Sequence, residues 1–427
     1  MNGQNSSLVI EEIPAVAGHV DVYVEGKETV VRVKFSVTQD PRFFERFLKG
    51  RPSVEVPYVM SRICGVCSIV HLTCSIDAIE KALGVEPSEE ILKLRKLAKG
   101  LEVIQNNLVH VLMSLPDFTG CNDVVSFSKG YQNIFNKLMN TNRLALEAYK
   151  RICGRFVHTP TLGVAAHSKP VSKYELESAG KLLHTVAKEL EEMVSDLAEI
   201  WRPLAEGFSD PAPTYCVLNS DEEYPLFSPS LLFSDGVTVP VEKYSTVIEE
   251  LRSPYSNAHY TLYRNGAFYS GSRARIQAYS KIIGSEISAI TKMLSIDPSN
   301  PFDNVKAQYI EVVYLSSFLG DLAFDLAEEF RGGISPSHVA YSSGSGEGVA
   351  AATAPRGVLI HHYIVKGGKL ESANIITPTV INARHMEVAG EALVRRLVEC
   401  GESEKSIKSM VAALVRAYDP CLPCAVH

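Results

Sequence analysis

Two short cysteine motifs at opposite ends of the chain constrain its fold more than any other feature. Cys64 and Cys67 stand in Arg62-Ile-Cys-Gly-Val-Cys-Ser-Ile-Val-His71, and Cys421 and Cys424 in Asp419-Pro-Cys-Leu-Pro-Cys-Ala-Val-His427. In each pair a two-residue spacer lets both sulfurs turn toward one point. Brought together, the pairs offer four thiolates, soft ligands for zinc, iron–sulfur clusters, copper(I) or nickel. Cys67 and Cys421 are 354 positions apart, so a shared centre requires the whole intervening chain to return on itself.

Spacing alone leaves three readings open: a structural zinc site, an iron–sulfur cluster, and a catalytic metal bridging the two ends. Structural zinc pairs usually lie closer together, in small domains that cannot fold without the ion. A chain of 427 residues, 46% of them hydrophobic, can bury a large core unaided. An independent redox dithiol finds no thioredoxin-like βαβ context at either pair. The other five cysteines, Cys74, Cys121, Cys153, Cys216 and Cys400, are scattered and are expected in the core. They form no cluster-binding set.

A net charge of −7 with no basic tract gives no reason to expect nucleic acid. No apolar run reaches the roughly 18 residues of a membrane span. The opening MNGQNSSLVIEE has no basic region followed by an apolar segment, so it is no secretory signal and a cytoplasmic location is expected. A partner subunit with its own signal or anchor would override that expectation.

Alternating Val20, Val22 and Val24, then Val31, Val33, Phe35 and Val37, predict two strands joined by a turn at Glu25-Gly-Lys-Glu28. Helical spacing dominates from about 88 onward, over 88–116, 128–152, 172–201, 272–295 and 304–331. The 172–201 segment opens on a Ser172/Glu175 capping box and carries a stripe from Leu176 to Trp201 suited to core packing. Residues 210–270 read as an irregular, partly β excursion. The Ser-Gly-Ser-Gly-Glu-Gly run at 343–348 reads as a loop, and no Gly-Lys-Ser/Thr follows it to make a phosphate loop. A β-like region at about 356–380 and helices near 385–399 and 403–418 complete the chain, with Asp419-Pro420 stopping the last helix. The expected fold is α+β and mainly helical, a long-helix bundle within one catalytic domain, 1–427. Its parts are an N-terminal β unit at about 8–40, a helical core at about 55–205 and 272–335, a β-rich excursion at about 206–271, and a C-terminal metal-binding segment at about 350–427.

The wording around the cysteines decides among the metal readings. The two motifs, in this order and at the two ends, resemble the signatures of nickel–iron hydrogenase large subunits, above all the shorter sulfhydrogenase and cofactor-reducing types. The resemblance runs over most of the chain. It implies reversible heterolytic cleavage of H2 at a nickel–iron centre whose iron carries CO and cyanide. Cys64 and Cys421 would be terminal nickel ligands, with Cys421 also the base that takes the proton. Cys67 and Cys424 would bridge the metals. His71 matches a histidine near a bridging sulfur. Arg356, in Ala354-Pro-Arg-Gly357, matches a guanidinium that donates to cyanide and helps polarise H2. Thr379 matches a hydroxyl donor to the other cyanide, and Asp117 and Asp419 match carboxylates that orient Arg356 and tune the thiolates. Glu45 and His427 match ligands of a separate Mg2+ or Fe2+ ion, and His158 a position with a minor supporting role.

The same resemblance implies partners: a small iron–sulfur subunit, further electron-transfer subunits, maturation proteins, and an endoprotease that cuts after the histidine at His427. The quinone-proximal relative in respiratory complex I shares the fold but lacks these cysteines. Two positions depart from the family pattern. Ala17, before Gly18-His19, and Thr353, before Ala-Pro-Arg-Gly, stand where glutamates are usual. Alanine carries no proton, so the usual exit route is broken. Glu11 and Glu12 are the nearest carboxylates in sequence. The two departures keep one alternative open beside the enzyme reading, a zinc- or metal-stabilised scaffold or assembly protein derived from this family.

Overall fold

A computed structural model of the chain describes residues 6–27, 30–201, 204–336 and 343–427. It opens with an antiparallel sheet, β1 (Ser6–Ile10), β2 (Val20–Lys27) and β3 (Val30–Val37), in that order. The alternating valines put Val20, Val22, Val24, Val33, Phe35 and Val37 on one buried face. The tip of the predicted turn, at 28–29, lies outside the described residues.

Helices then take over. The longer ones begin with α1 (Ser68–Leu83), α2 (Glu89–Thr119), α3 (Gln132–Cys153) and α4 (Lys173–Ile200). The capping box at α4 forms as the sequence predicts. Glu175 N–H donates to Ser172 Oγ at 3.2 Å, and Ser172 N–H to a Glu175 carboxylate oxygen at 2.8 Å. Helix α5 (Asn304–Glu329) packs along α4 and α2, and α3 packs along α4, making the bundle. The stripe from Leu176 to Leu197 is its buried seam.

The excursion between α4 and α5 holds two small antiparallel sheets rather than irregular chain: Cys216–Leu218, Ser230–Phe233 and Thr238–Pro240, then Ile248–Arg252 with His259–Tyr263. A further three-stranded sheet, β4 (Gly346–Ala354), β5 (Gly357–Lys366) and β6 (Lys369–Ile376), precedes α6 (Pro378–Glu399) and α7 (Glu404–Ala417).

The Gly/Ser run reads as a loop in sequence, yet Gly346 and Gly348 begin β4. The strand lies directly against α1. A Cβ at Gly348 would collide with the Ala78 carbonyl oxygen, so only glycine permits this approach. That contact presses the sheet carrying Arg356 onto the helix that follows Cys67. The architecture is α+β and mainly helical, as the sequence implies. Among the described residues no helix is long and apolar enough to cross a membrane.

Candidate metal centre

Cys64 follows a single 3-10 turn (Ser61–Ile63), and Cys67 stands at the N-terminus of α1. Cys421 and Cys424 flank and enter a four-residue helix, Leu422–Ala425, after Asp419-Pro420 has ended α7. The fold brings the two ends together. Cys64 Sγ lies 3.3 Å from Cys421 Sγ, and Cys67 Sγ 3.3 Å from Cys424 Sγ. All four sulfurs lie within 4.8 Å of one another, all buried, and none is in a disulfide.

Several main-chain contacts hold this meeting point. Leu422 N–H donates to the Ala17 carbonyl at 2.8 Å, and Ala17 bridges to Cys421 in parallel register. Gly18, at φ +107°, lets β2 begin against Leu422 and Pro423, where a Cβ would come within 2.8 Å of Leu422 Cβ. Arg42 ties the motifs directly. Its guanidinium donates to the Ile63 carbonyl at 2.6 Å and to the Pro423 carbonyl. The sequence singles out this segment for Glu45, and nothing in it marks Arg42 as the clamp.

The electrostatics call for a cation among the sulfurs. The neighbouring thiols of Cys421, Cys424 and Cys67 hold Cys64 well below the ordinary thiol range. Cys421, Cys424 and Cys64 in turn push Cys67 well up, and burial does so for Cys424. Four thiolates cannot coexist in so dry a site unless positive charge compensates them. Arg356 supplies part of it. Burial opposes its charge, but Asp419 and the cluster's sulfurs keep it firmly protonated. Asp419, at φ +51°, accepts from Arg356 twice, through its carbonyl at 2.5 Å and through Oδ1 at 2.8 Å. The remaining Arg356 nitrogen, Nη1, is buried and has no partner within the protein.

A small pocket adjoins the sulfurs, lined by Cys67, His71, Arg356, Thr379, Cys421 and Cys424 among others. Thr379 Oγ1 accepts from Cys421 N–H at 2.9 Å, so its own proton is free to donate. His71 Nδ1 pairs with His361 Nε2 at 3.2 Å, and burial lowers His71 to about 4, so it is neutral at ordinary pH. A soft, electron-rich sulfur set beside a fixed guanidinium fits a thiolate-bound metal centre with anionic ligands on one face.

Other expected residues divide. His427 Nε2 lies 3.5 Å from Glu45 Oε1, while His427 Nδ1 meets the Cys424 carbonyl at 2.6 Å. These two therefore come together. Asp117 does not reach Arg356, contrary to expectation. It pairs with Arg416 at 2.6 and 2.8 Å, because the last turn of α7 presents that guanidinium to the end of α2. Asp419 alone of the two carboxylates orients Arg356. His158 lies off the sulfur cluster at φ +51°, its N–H on Ser68 Oγ at 3.1 Å. Glu11 and Glu12 are exposed and replace nothing, and Thr353 spends its hydroxyl on the Pro225 carbonyl at 2.7 Å. Of the scattered cysteines, Cys74, Cys153 and Cys216 are buried as expected. Cys121 is half-buried and Cys400 exposed, since each falls just past the end of a helix.

Sequence reading missed two buried carboxylates. Glu102 of α2 accepts from Ile69 N–H and Val70 N–H, both at 2.7 Å. It caps α1, because the N-cap residue Cys67 makes no side-chain cap of its own. Glu311 of α5 pairs with Arg275 at 2.6 and 2.8 Å, and Arg275 donates to the Ala354 and Pro355 carbonyls, fixing the segment before Arg356. Neither glutamate sits in a recognisable motif.

The family model described as nickel-dependent hydrogenase matches residues 42–187 and 281–427. The alpha subunit of sulfhydrogenase 2 from Pyrococcus furiosus is 30% identical over 426 residues, covering 98% of each chain. The large subunit of the periplasmic [NiFeSe] hydrogenase from Desulfomicrobium baculatum is 25% identical, covering 98% of this chain and 94% of its own. The crystal structure of an NAD+-reducing [NiFe]-hydrogenase in the H2-reduced state superposes with a TM-score of 0.85 over 100% of both chains at 20% identity, which speaks for the fold. With the four sulfurs gathered at one buried point, the chain belongs to the nickel-dependent hydrogenases, as a large subunit of that family.

Proposed function

We propose that this chain is the catalytic subunit for reversible cleavage of H2 into protons and electrons at a nickel–iron centre held by Cys64, Cys67, Cys421 and Cys424. One observation carries the reading: four buried sulfurs from the two ends of the chain lie within 4.8 Å of one another. When bound, such a centre supplies the redox change and the Lewis acidity that split H2.

The chain's own residues do the rest. Cys64 and Cys421 would be terminal ligands to nickel, and Cys67 and Cys424 would be shared with iron. Arg356 Nη1 and the Thr379 hydroxyl would donate to cyanide on the iron, with Asp419 keeping the guanidinium aimed. Cys421 Sγ would accept the proton when H2 divides. The apolar walls, Val70, Ala354, Pro355 and Leu359, exclude water and strengthen each of these interactions. Glu45 and His427 would hold Mg2+ or Fe2+, completed by carbonyls or water, since two side chains alone fall short of its coordination.

Electrons leave to an iron–sulfur small subunit in this reading, because the remaining cysteines gather nowhere else among the described residues. The spacer between Cys64 and Cys67 supports it. Gly65 and Val66 face outward, with Val66 45% exposed and lining one cavity together with Val109. The centre therefore lies one residue beneath a partly apolar face. Further electron-transfer subunits and maturation proteins would complete the assembly.

Metal analysis with infrared spectroscopy of the purified complex tests the reading. Nickel and iron together, with CO and cyanide stretching bands, are expected. Zinc alone with no such bands would overturn it in favour of a scaffold.

A further inference from the structure

A proton released at Cys421 must reach solvent, and this inference rests on the H2-cleaving reading above. Most sides of the centre offer no way out. The string from His71 through His361 to Tyr363 and Ser75 is hydrogen-bonded throughout, but Tyr363 and Ser75 are fully buried and it ends in the core. The side where Ala17 stands is different. There a cavity lined by Ala17, Val66, Asn106, His110, Arg356 and Asp419 opens outward. The alanine methyl leaves space that a longer side chain would fill. A second cavity, walled by Asp117 and Arg416, shares Ala15 and Met113 with the first and continues to the surface.

His110 lines the first of these cavities, and its surroundings are specific. Its Nδ1 lies 2.5 Å from Gln308 Oε1. The orientation of that amide is set by its other end, where Gln308 Nε2 meets the Asp419 carboxylate at 3.3 Å, a group that only accepts. Nε2 of His110 lies 2.8 Å from the Arg416 carbonyl, which also only accepts, and 3.2 Å from Ser114 Oγ, whose proton goes to the His110 carbonyl. Both ring nitrogens thus face acceptors. A neutral ring satisfies one of them, and an imidazolium satisfies both.

The charged groups around it are Asp419, 3.8 Å from Nε2 and paired with Arg356, and the Asp117–Arg416 pair at the outer side. Behind Gln308 and Asn107 stands the Glu311–Arg275 pair. The negative group nearest the ring is Asp419.

We propose that His110 carries protons along an exit that runs from the Arg356–Asp419 end of the centre, through the cavity left by Ala17, to the surface beside Asp117. In each passage Nε2 accepts a proton from cavity water on the inner side and releases one to water on the outer side. The proton on Nδ1 stays there throughout, donated to Gln308 Oε1, and no electrons move.

The test uses the metal-loaded complex with His110→Gln, alone and combined with Ala17→Glu. His110→Gln should keep nickel, iron and the infrared bands while H2 oxidation with an artificial acceptor falls at least about tenfold. Its solvent deuterium isotope effect should rise and its pH profile should flatten. Ala17→Glu should restore most of the rate by placing a carboxylate in the same cavity. Loaded His110→Gln enzyme with unchanged rate and isotope effect would overturn the proposal, as would loss of metal in both His110→Gln and His110→Asn, which would make the residue structural. Deuterium exchange at the imidazole C2 position, followed by mass spectrometry, gives a reading that needs no metal. His110 should exchange while His361 stays protected, and a protected His110 would overturn the proposal even if the centre proved to hold no nickel.

Discussion

The two flanks of the sulfur cluster are built on opposite principles. Toward α1, α5 and β4 the packing is tight: Gly348 brings strand against helix, Glu102 caps α1, and the Arg275–Glu311 pair fixes the carbonyls before Arg356. Toward Ala17 the wall opens into a cavity containing His110 and the Arg356–Asp419 pair. The alanine falls on the open flank, where its main chain still holds Leu422 while its short side chain leaves the cavity open. In the proposed route Ala17 alters the path of the proton, while Arg42 still ties the two cysteine motifs together. Thr353, the other departure, lies on the tightly packed flank and is absorbed there as a hydrogen bond to the Pro225 carbonyl.

Substitutions on each flank should separate stability from turnover. The largest effect is expected from Glu311→Ala, which strands a fully buried Arg275 and should cost about 3–5 kcal/mol in denaturant titration. A cost under about 1 kcal/mol would mean that the tightly packed flank tolerates an unpaired charge. Next is Arg356→Lys. A lysine cannot hold Asp419 with one edge and present a second donor toward the centre with another. Turnover should fall about a hundredfold at constant nickel and iron content, as when a single preorganised donor is removed.

Glu102→Gln comes third. The amide keeps one accepting oxygen for two N–H groups, and the loss should be about 1 kcal/mol. Its pH signature is more telling. Burial pushes the Glu102 carboxyl up to about 8, above its value in the unfolded chain. Between the ordinary carboxylate range and about pH 8 the native state holds the extra proton, so stability should decline as pH rises through that window. The glutamine variant should lose that part of the slope, and an unchanged slope would assign it to another group. The smallest effect is expected from Asp117→Asn. This half-buried pair with Arg416 should contribute no more than about 1 kcal/mol, and the metal content should not change.

What the sequence revealed follows from how local each signal is. The Cys-x-x-Cys spacings, the Ser172 cap and the alternating valines are each read within a few residues, and each appears in the structure where the spacing puts it. Asp117 shows the limit. Its motif suggests a partner for Arg356, but which guanidinium a carboxylate meets depends on how α2 and α7 cross, and Arg416 is the nearer. Arg42, Glu102 and Glu311 are invisible for the same reason. Charged residues read as surface until the packing shows them clamping carbonyls, capping a helix, or neutralising a buried cation. The glycines at 346 and 348 read as a loop because the helix they accommodate lies more than two hundred positions earlier in the chain.

The claim beneath all of this is that thiolates from both termini bind one nickel-containing centre. X-ray absorption at the nickel edge of the loaded complex addresses it directly. A nickel environment made of sulfur, losing one sulfur neighbour in a Cys421→Ser variant and another in Cys64→Ser, is the predicted result. Nickel surrounded by nitrogen and oxygen, or a spectrum indifferent to both substitutions, would contradict it.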